Sequence, residues 1–191
     1  MKNLNDITVV IVTYKTNEKI IFDCLKSINS QVKVLIIENS KNFAHDKKIL
    51  SNFPNAKVFC SGENLGYGKG NNYGLKLVES KYALILNPDV ICEKDFFNNI
   101  VDVVNQTKDF TIIGCQYLND KIFMPAGFFN KEKNNKFKDD FMNNKVDNLS
   151  KVEWVTGCSM LINLEKFINK EIFDKNFFLY FEEVDLCKSI I

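Results

Sequence analysis

The hydrophobic positions of this chain fall into two alternating patterns. Over Ile7–Thr13 they form an unbroken, largely β-branched run, and over residues 17–30 they follow a helical period that places Ile20, Ile21, Cys24, Leu25 and Ile28 on one face. The alternation then repeats. Apolar runs predict strands at 34–37, 57–60, 82–86 and 110–115, and helix-period stretches predict helices at 45–53, 70–79 and 94–107 between them. Fully apolar strands alternating with helices are the pattern of an α/β fold, in which a parallel sheet is covered on both faces. After Cys115 the rhythm breaks. Residues 119–151 form a polar excursion crowded with Asn, Lys and Asp around Pro125 and Gly127. Strand-like sequence returns at 152–155 and 159–162, a short helix is expected at 165–169, and the aromatic run 177–181 leads into a helical segment from Glu182. No repeat and no linker interrupts the chain, so one domain is expected over residues 1–191.

Composition narrows the function. With 46% hydrophobic and 26% charged residues, the 191-residue chain has material for its own core, and a fold of this size buries roughly 70% of its unfolded surface. A net charge of +1 gives no field to hold a polyanion, which argues against nucleic acid as a partner. All 25 basic residues are lysine. Any phosphate must then be held by lysine, backbone N–H groups or a metal, because the arginine fork is unavailable. The six cysteines are widely spaced and only one His, His45, accompanies them, which excludes a zinc cluster and fits reduced thiols in the cytoplasm. No apolar run reaches the length of a membrane span, and the N-terminus does not read as a signal peptide.

In an open parallel sheet the ligand lies beyond the carboxyl ends of the strands. Here those ends are polar throughout: Thr13-Tyr14, then Glu38-Asn39-Ser40, then the glycine-rich stretch from Glu63 to Gly74, then Asn87-Pro88-Asp89. Each is also what an ordinary strand-to-helix turn looks like. The glycine stretch is neither a dinucleotide fingerprint nor a Walker loop, yet Gly66, Gly68 and Gly70 would let a backbone approach a ligand, and the helix after them would offer free N–H groups to an anion. Asp89, set outward by Pro88, is a hard oxygen ligand suited to Mg²⁺ or Mn²⁺ on a diphosphate. Glu182, Glu183 and Asp185 open the last helix, where they complement its dipole or supply a general base. His45 reads as a surface residue and Trp154 as core.

In combination these segments resemble the family 2 glycosyltransferases of GT-A fold, in particular their rhamnosyltransferase-like branch. The likeness is carried, in order, by VVIVTYKT from Val9, IIENS from Ile36, ENLGYGKGNNYG from Glu63, LNPDV from Leu86, WVTGCSMLI from Trp154 and FFLYFEEVDLC from Phe177. It implies a Rossmann-like fold with a mostly parallel central sheet flanked by helices. The nucleotide-binding part would cover about residues 1–116 and the acceptor-side part 117–191. It also implies a nucleoside-diphosphate sugar donor, UDP- or dTDP-linked, contacted by Thr13, Tyr14, Glu38, Asn39, Asn64, Gly66, Lys69, Asn72 and Asn87. A divalent metal, Mg²⁺ or Mn²⁺, would sit on Asp89. Glu183 would be the base that deprotonates the acceptor hydroxyl for inverting transfer, with Glu182 and Asp185 beside it.

The acceptor would be a glycan or a lipid-linked glycan, giving a role in cell-wall or polysaccharide synthesis and a peripheral place at the inner face of the membrane. Glu183 stands where the family usually has Asp. Family members usually continue past this motif, to a metal-ligating His, so the resemblance implies a C-terminally incomplete chain. The alternatives are a non-catalytic nucleotide-sugar-binding remnant and a nucleotidyltransferase. The latter would need a basic loop after the first strand, where only Lys15 is found.

Overall fold

The computed structural model describes residues 3–107, 109–115, 125–146 and 149–191. In chain order these form β1 (Ile7–Thr13), α1 (Glu18–Ser27), β2 (Lys33–Glu38), α2 (Asp46–Asn52), β3 (Ala56–Cys60), α3 (Gly66–Leu77), β4 (Tyr82–Leu86), α4 (Phe96–Gln106), β5 (Ile112–Gly114), β6 (Ala126–Gly127), α5 (Lys131–Met142), β7 (Trp154–Val155), β8 (Ser159–Asn163) and α6 (Glu182–Ser189). The main sheet runs β3-β2-β1-β4-β8-β5. Its first four strands are parallel, and β8 lies antiparallel between β4 and β5. The mostly parallel, helix-flanked sheet expected from the sequence is therefore present. The strand predicted at 110–115 differs: β5 is three residues long and lies at the far edge, beyond β8.

Strand alternation sorts the core into two layers. Val9 and Ile11 of β1, with Val34 and Ile36 of β2, face Ile21 and Leu25 of α1, Ile49 of α2 and Phe97 and Ile100 of α4. The residues between them, Val10, Leu35 and Ile37, face Leu75 of α3, Phe173, and Leu186 and Cys187 of α6. Most of these side chains are fully buried, each contributing about 1.5–3 kcal/mol from lost apolar exposure. All six cysteines are free.

Two regions depart from the sequence reading. Helix α3 begins at Gly66 rather than Gly70, so the glycines lie inside the helix instead of in a loop before it. Glycine's poor helix propensity argues for a loop, but close packing overrides it. At Gly74 an added Cβ would lie 2.5 Å from Val10 Cγ1 and 3.0 Å from Ile37 Cγ1, so only a bare backbone lets α3 come down onto β1 and β2. Secondly, the described part of the polar excursion is structured. It holds β6, which pairs with β7 of the strand expected at 152–155, and α5, a helix with no buried residue whose N-terminus is capped by the Asn130 side chain, which accepts from the Lys133 amide. Residues 116–118 and the segments 119–124 and 147–148 of that excursion lie outside the described residues.

Candidate active site

The chain passes from β1 outward to β2 and β3, then returns to β4 on the other side of β1. This reversal is a switch point, where adjacent connections diverge and leave a crevice at the carboxyl ends of the strands. Thr13 and Tyr14 lie on one side of that crevice and Asn87 to Asp89 on the other.

The β1 side is tied to β2 by a buried polar cluster. Glu38 is fully buried; its Oε2 accepts from the Thr13 hydroxyl at 2.7 Å and its Oε1 from the Lys15 amide at 3.2 Å. Lys15 reaches that oxygen by adopting a left-handed conformation, φ 51°. Its ammonium lies 5.3 Å from the centre of the Tyr14 ring, which is 48% exposed at the lip of the crevice. Asn39 donates its amide to Gly66 O at 2.8 Å, and its buried Oδ1 has no protein partner.

Gly66 is where α3 meets the distant acidic segment. It has φ 77°, and an added Cβ would fall 2.1 Å from the carbonyl oxygen of Phe178. That oxygen accepts from the Tyr67 amide at 3.0 Å, while Asn64 Oδ1 accepts from the Gly66 amide at 3.1 Å. The expectation of free N–H groups at this helix start is thus corrected for these two amides, which are occupied by the protein itself. Asn72, predicted to face a ligand, spends both ends of its amide on Phe173: Nδ2 donates to its carbonyl at 2.8 Å, and Oδ1 accepts from its N–H at 3.0 Å. Lys69 is half-buried on the same helix.

Beyond β4, Val90 donates to Asn87 O at 3.2 Å and closes a turn that leaves Asp89 exposed. The Asn87 amide donates to Cys158 O at 2.9 Å, and the Tyr67 hydroxyl donates to Gly157 O, so the turn between β7 and β8 joins β4 to α3. Among the described residues no three carboxylate, His or Cys side chains group as a metal cage. A lone exposed carboxylate still fits Mg²⁺ or Mn²⁺, which bind through one or two carboxylates with water and substrate phosphates filling the remaining positions. His45 lies elsewhere, 3.3 Å from Glu18, in keeping with a surface role.

The three acidic residues of α6 have different surroundings. Tyr180 and Phe181, immediately before the helix, are both left-handed, with φ 73° and 70°, a conformation that costs about 1–3 kcal/mol per residue. Glu182 is buried and Glu183 is half-buried. Glu183 lines a cleft of about 620 Å³ with Phe129, Trp154, Tyr180, Phe181 and Val184. Asp185 is half-buried and does not line it. Trp154, read as core, packs against the core on one side and walls this cleft on the other. Burial, with the nearby Glu183 charge, pushes the Tyr67 hydroxyl well above its ordinary range and keeps it a hydrogen-bond donor. Tyr67, Gly157, Phe173 and Phe129 were not singled out by sequence. The first two lie inside the recognised motifs, whereas Phe173 and Phe129 carry no local signal.

Residues 8–177 match the model of the family described as "Glycosyl transferase family 2". The chain is 24% identical over 192 residues to the low-salt glycan biosynthesis hexosyltransferase Agl10 of Haloferax volcanii, covering 96% of this chain and 61% of that protein. It is also 24% identical over 204 residues to rhamnosyltransferase WbbL of Escherichia coli, covering 93% of this chain and 74% of that one. It therefore spans less than two thirds of the first relative's length. Its fold is similar to that of the mannosyltransferase PcManGT from Pyrobaculum calidifontis, in complex with GDP-Man and Mn²⁺, with TM-score 0.58 and 14% identity over 90% of this chain and 48% of that one. The chain belongs to glycosyl transferase family 2.

Proposed function

We propose that this protein is an inverting glycosyltransferase, which moves a sugar from a nucleoside-diphosphate donor, UDP- or dTDP-linked, to a glycan or lipid-linked acceptor. The observation that carries this reading is Glu183, a half-buried carboxylate in the wall of an aromatic cleft that adjoins the glycine helix through Tyr67 and Phe178. The nucleotide lies in the crevice beyond β1 and β4. Tyr14 packs on the base, while the buried Thr13–Glu38 pair fixes the turn that carries Tyr14 and Asn39 ties that rim to Gly66. Gly66 and Asn64 shape the donor pocket, Asn72 and Asn87 hold its walls by their bonds to Phe173 and Cys158, and Lys69 supplies positive charge.

Asp89 would hold a divalent metal, which would supply positive charge against the departing diphosphate. The Glu183 carboxylate takes the proton from the acceptor hydroxyl as that oxygen attacks the anomeric carbon from the side opposite the diphosphate. Glu182 and Asp185 support the helix that carries it. The aromatic side chains lining the open cleft offer the acceptor apolar surface beside that carboxylate. The enzyme would act at the cytoplasmic side of a membrane when its acceptor is lipid-linked; among the described residues no helix is long and apolar enough to cross one.

The test is donor turnover. UDP-, dTDP- and GDP-sugars are each incubated with Mg²⁺ or Mn²⁺, nucleotide release is measured, and the anomeric configuration of any product is read by NMR. Metal-dependent release from one donor, with inversion, is expected. Nucleotide binding with no release from any donor would leave the chain a donor-binding protein instead.

A further inference from the structure

Adjacent in sequence, Glu182 and Glu183 differ in every respect that governs a carboxyl group. Glu183 lines the open cleft, whereas Glu182 is 1% exposed. The Glu182 side chain runs toward the first turn of α3, where an added Cβ on Gly68 would lie 3.4 Å from Glu182 Cγ and 3.1 Å from Phe173 Cβ. Its Oε1 is buried with no hydrogen-bond partner, and no lysine or His forms an ion pair with it among the described residues. Burying a charge with one oxygen left unpartnered is far more costly than burying a neutral polar group, so this place favours the protonated form.

The titratable groups in its neighbourhood supply no compensating cation. They are Tyr67 from α3 and Glu183 on α6; beyond these, Cys158 borders Tyr67 and Cys187 borders Glu183. Burial raises the Glu182 carboxyl above its ordinary range; the backbone amides of Glu182 and Tyr180 lower it, and the Glu183 charge raises it further.

We propose that Glu182 is a positioning residue that acts as a neutral carboxylic acid, docking the first turn of α6 onto Gly68 of α3 and thereby fixing the Glu183 carboxylate at the cleft wall. The two neighbours divide the work by environment, as paired carboxyls do when their surroundings push them apart. This deepens the transferase reading of the same site and rests on it for the role of Glu183. Gly68 is part of the same device, since a Cβ there would crowd Phe173 Cβ and lie in contact with Glu182 Cγ.

The linkage has a definite sign. A carboxyl held neutral in the folded state and ionised in the unfolded one makes stability fall as pH rises from the ordinary carboxylate range to the folded value; below that range it has no effect. The test follows three readouts on the full chain. In ¹³C-carboxyl NMR of glutamate-labelled protein, one resonance should stay protonated above the ordinary range and vanish in Glu182→Gln. The melting midpoint of the unmodified chain should fall relative to Glu182→Gln as pH rises above the ordinary carboxylate range. In turnover, Glu182→Gln should retain more kcat than Glu182→Ala, which loses up to about 10²-fold through misplacement of the base while the donor KM is held.

All Glu carboxyls titrating in the ordinary range, or Glu182→Gln losing as much turnover as Glu183→Gln, would overturn the proposal. A chain that turned over no donor would defeat the transferase reading, yet the carboxyl titration would still decide this one.

Discussion

At the ends of β1 and β2 the polar side chains are buried and answered by one another, with Thr13, the Lys15 amide and Glu38 closing a fixed cluster. Across α3 the strap before α6 does the reverse. Phe178, Leu179, Tyr180 and Phe181 are each more than half exposed, the last two in left-handed conformations, and the cleft beside them is open. The difference teaches how rigidity is distributed. The β1–β2 rim is set before any ligand arrives, so recognition there requires little reorganisation. The strap is held at a few backbone points, chiefly Phe178 O on the Tyr67 amide, and leaves its apolar side chains for another surface to cover. Helix α3 serves both regions. Its glycines press one side onto β1 and β2 and receive Phe178 and Glu182 at the N-terminal end.

The sharpest way to separate the two regions is Glu183→Gln. It should lower turnover by about 10²–10⁴-fold, the usual contribution of a general base, while nucleotide binding is retained. An equal loss of binding, measured by calorimetric titration, would mean that the regions are not separable. Next in size is Gly66→Ala, which adds a side chain to a residue at positive φ and drives it into Phe178 O. Strain and overpacking of about 1–3 kcal/mol each should add, and denaturant unfolding would read the sum.

Thr13→Val should cost about 1–3 kcal/mol, because it removes the hydroxyl that answers Glu38 Oε2 in a buried place, and it should weaken nucleotide binding as well. Asn72→Ala deletes two bonds to the Phe173 backbone, each worth about 0.5–1.5 kcal/mol. Its effect should appear first as faster amide exchange at Phe173, with the β1–β2 rim unchanged.

The fold was legible because it is written locally. Apolar runs such as Val9 to Val12 and the helical period around Ile21 and Leu25 need no tertiary information. The strand ends were legible for the same reason, since the carboxyl end of each parallel strand fixes where Thr13, Glu38 and Asp89 must lie. What could not be read was contact across long separations. Asn72 meets Phe173 at 101 residues' distance, and no local pattern marks Phe173 as a partner. The glycines signalled close approach correctly but not its object, which is the protein's own side chains and, at Gly66, the Phe178 carbonyl. Trp154 was read as core because its strand is apolar, and only the packing of the 177–181 strap reveals its second face. Glu182 and Glu183 are chemically identical in sequence, and burial alone distinguishes them.

The proposed transferase keeps a metal-assisted nucleotide site at β1 and β4 separate from a base on α6. The direct test is calorimetric titration of UDP, dTDP and GDP, with and without Mn²⁺, into the unmodified chain, Asp89→Asn and Glu183→Gln. One nucleotide should bind in a metal-dependent manner to the unmodified chain and to Glu183→Gln, and the metal dependence should vanish in Asp89→Asn. Metal-dependent binding that survives in Asp89→Asn, or is lost in Glu183→Gln, would contradict it.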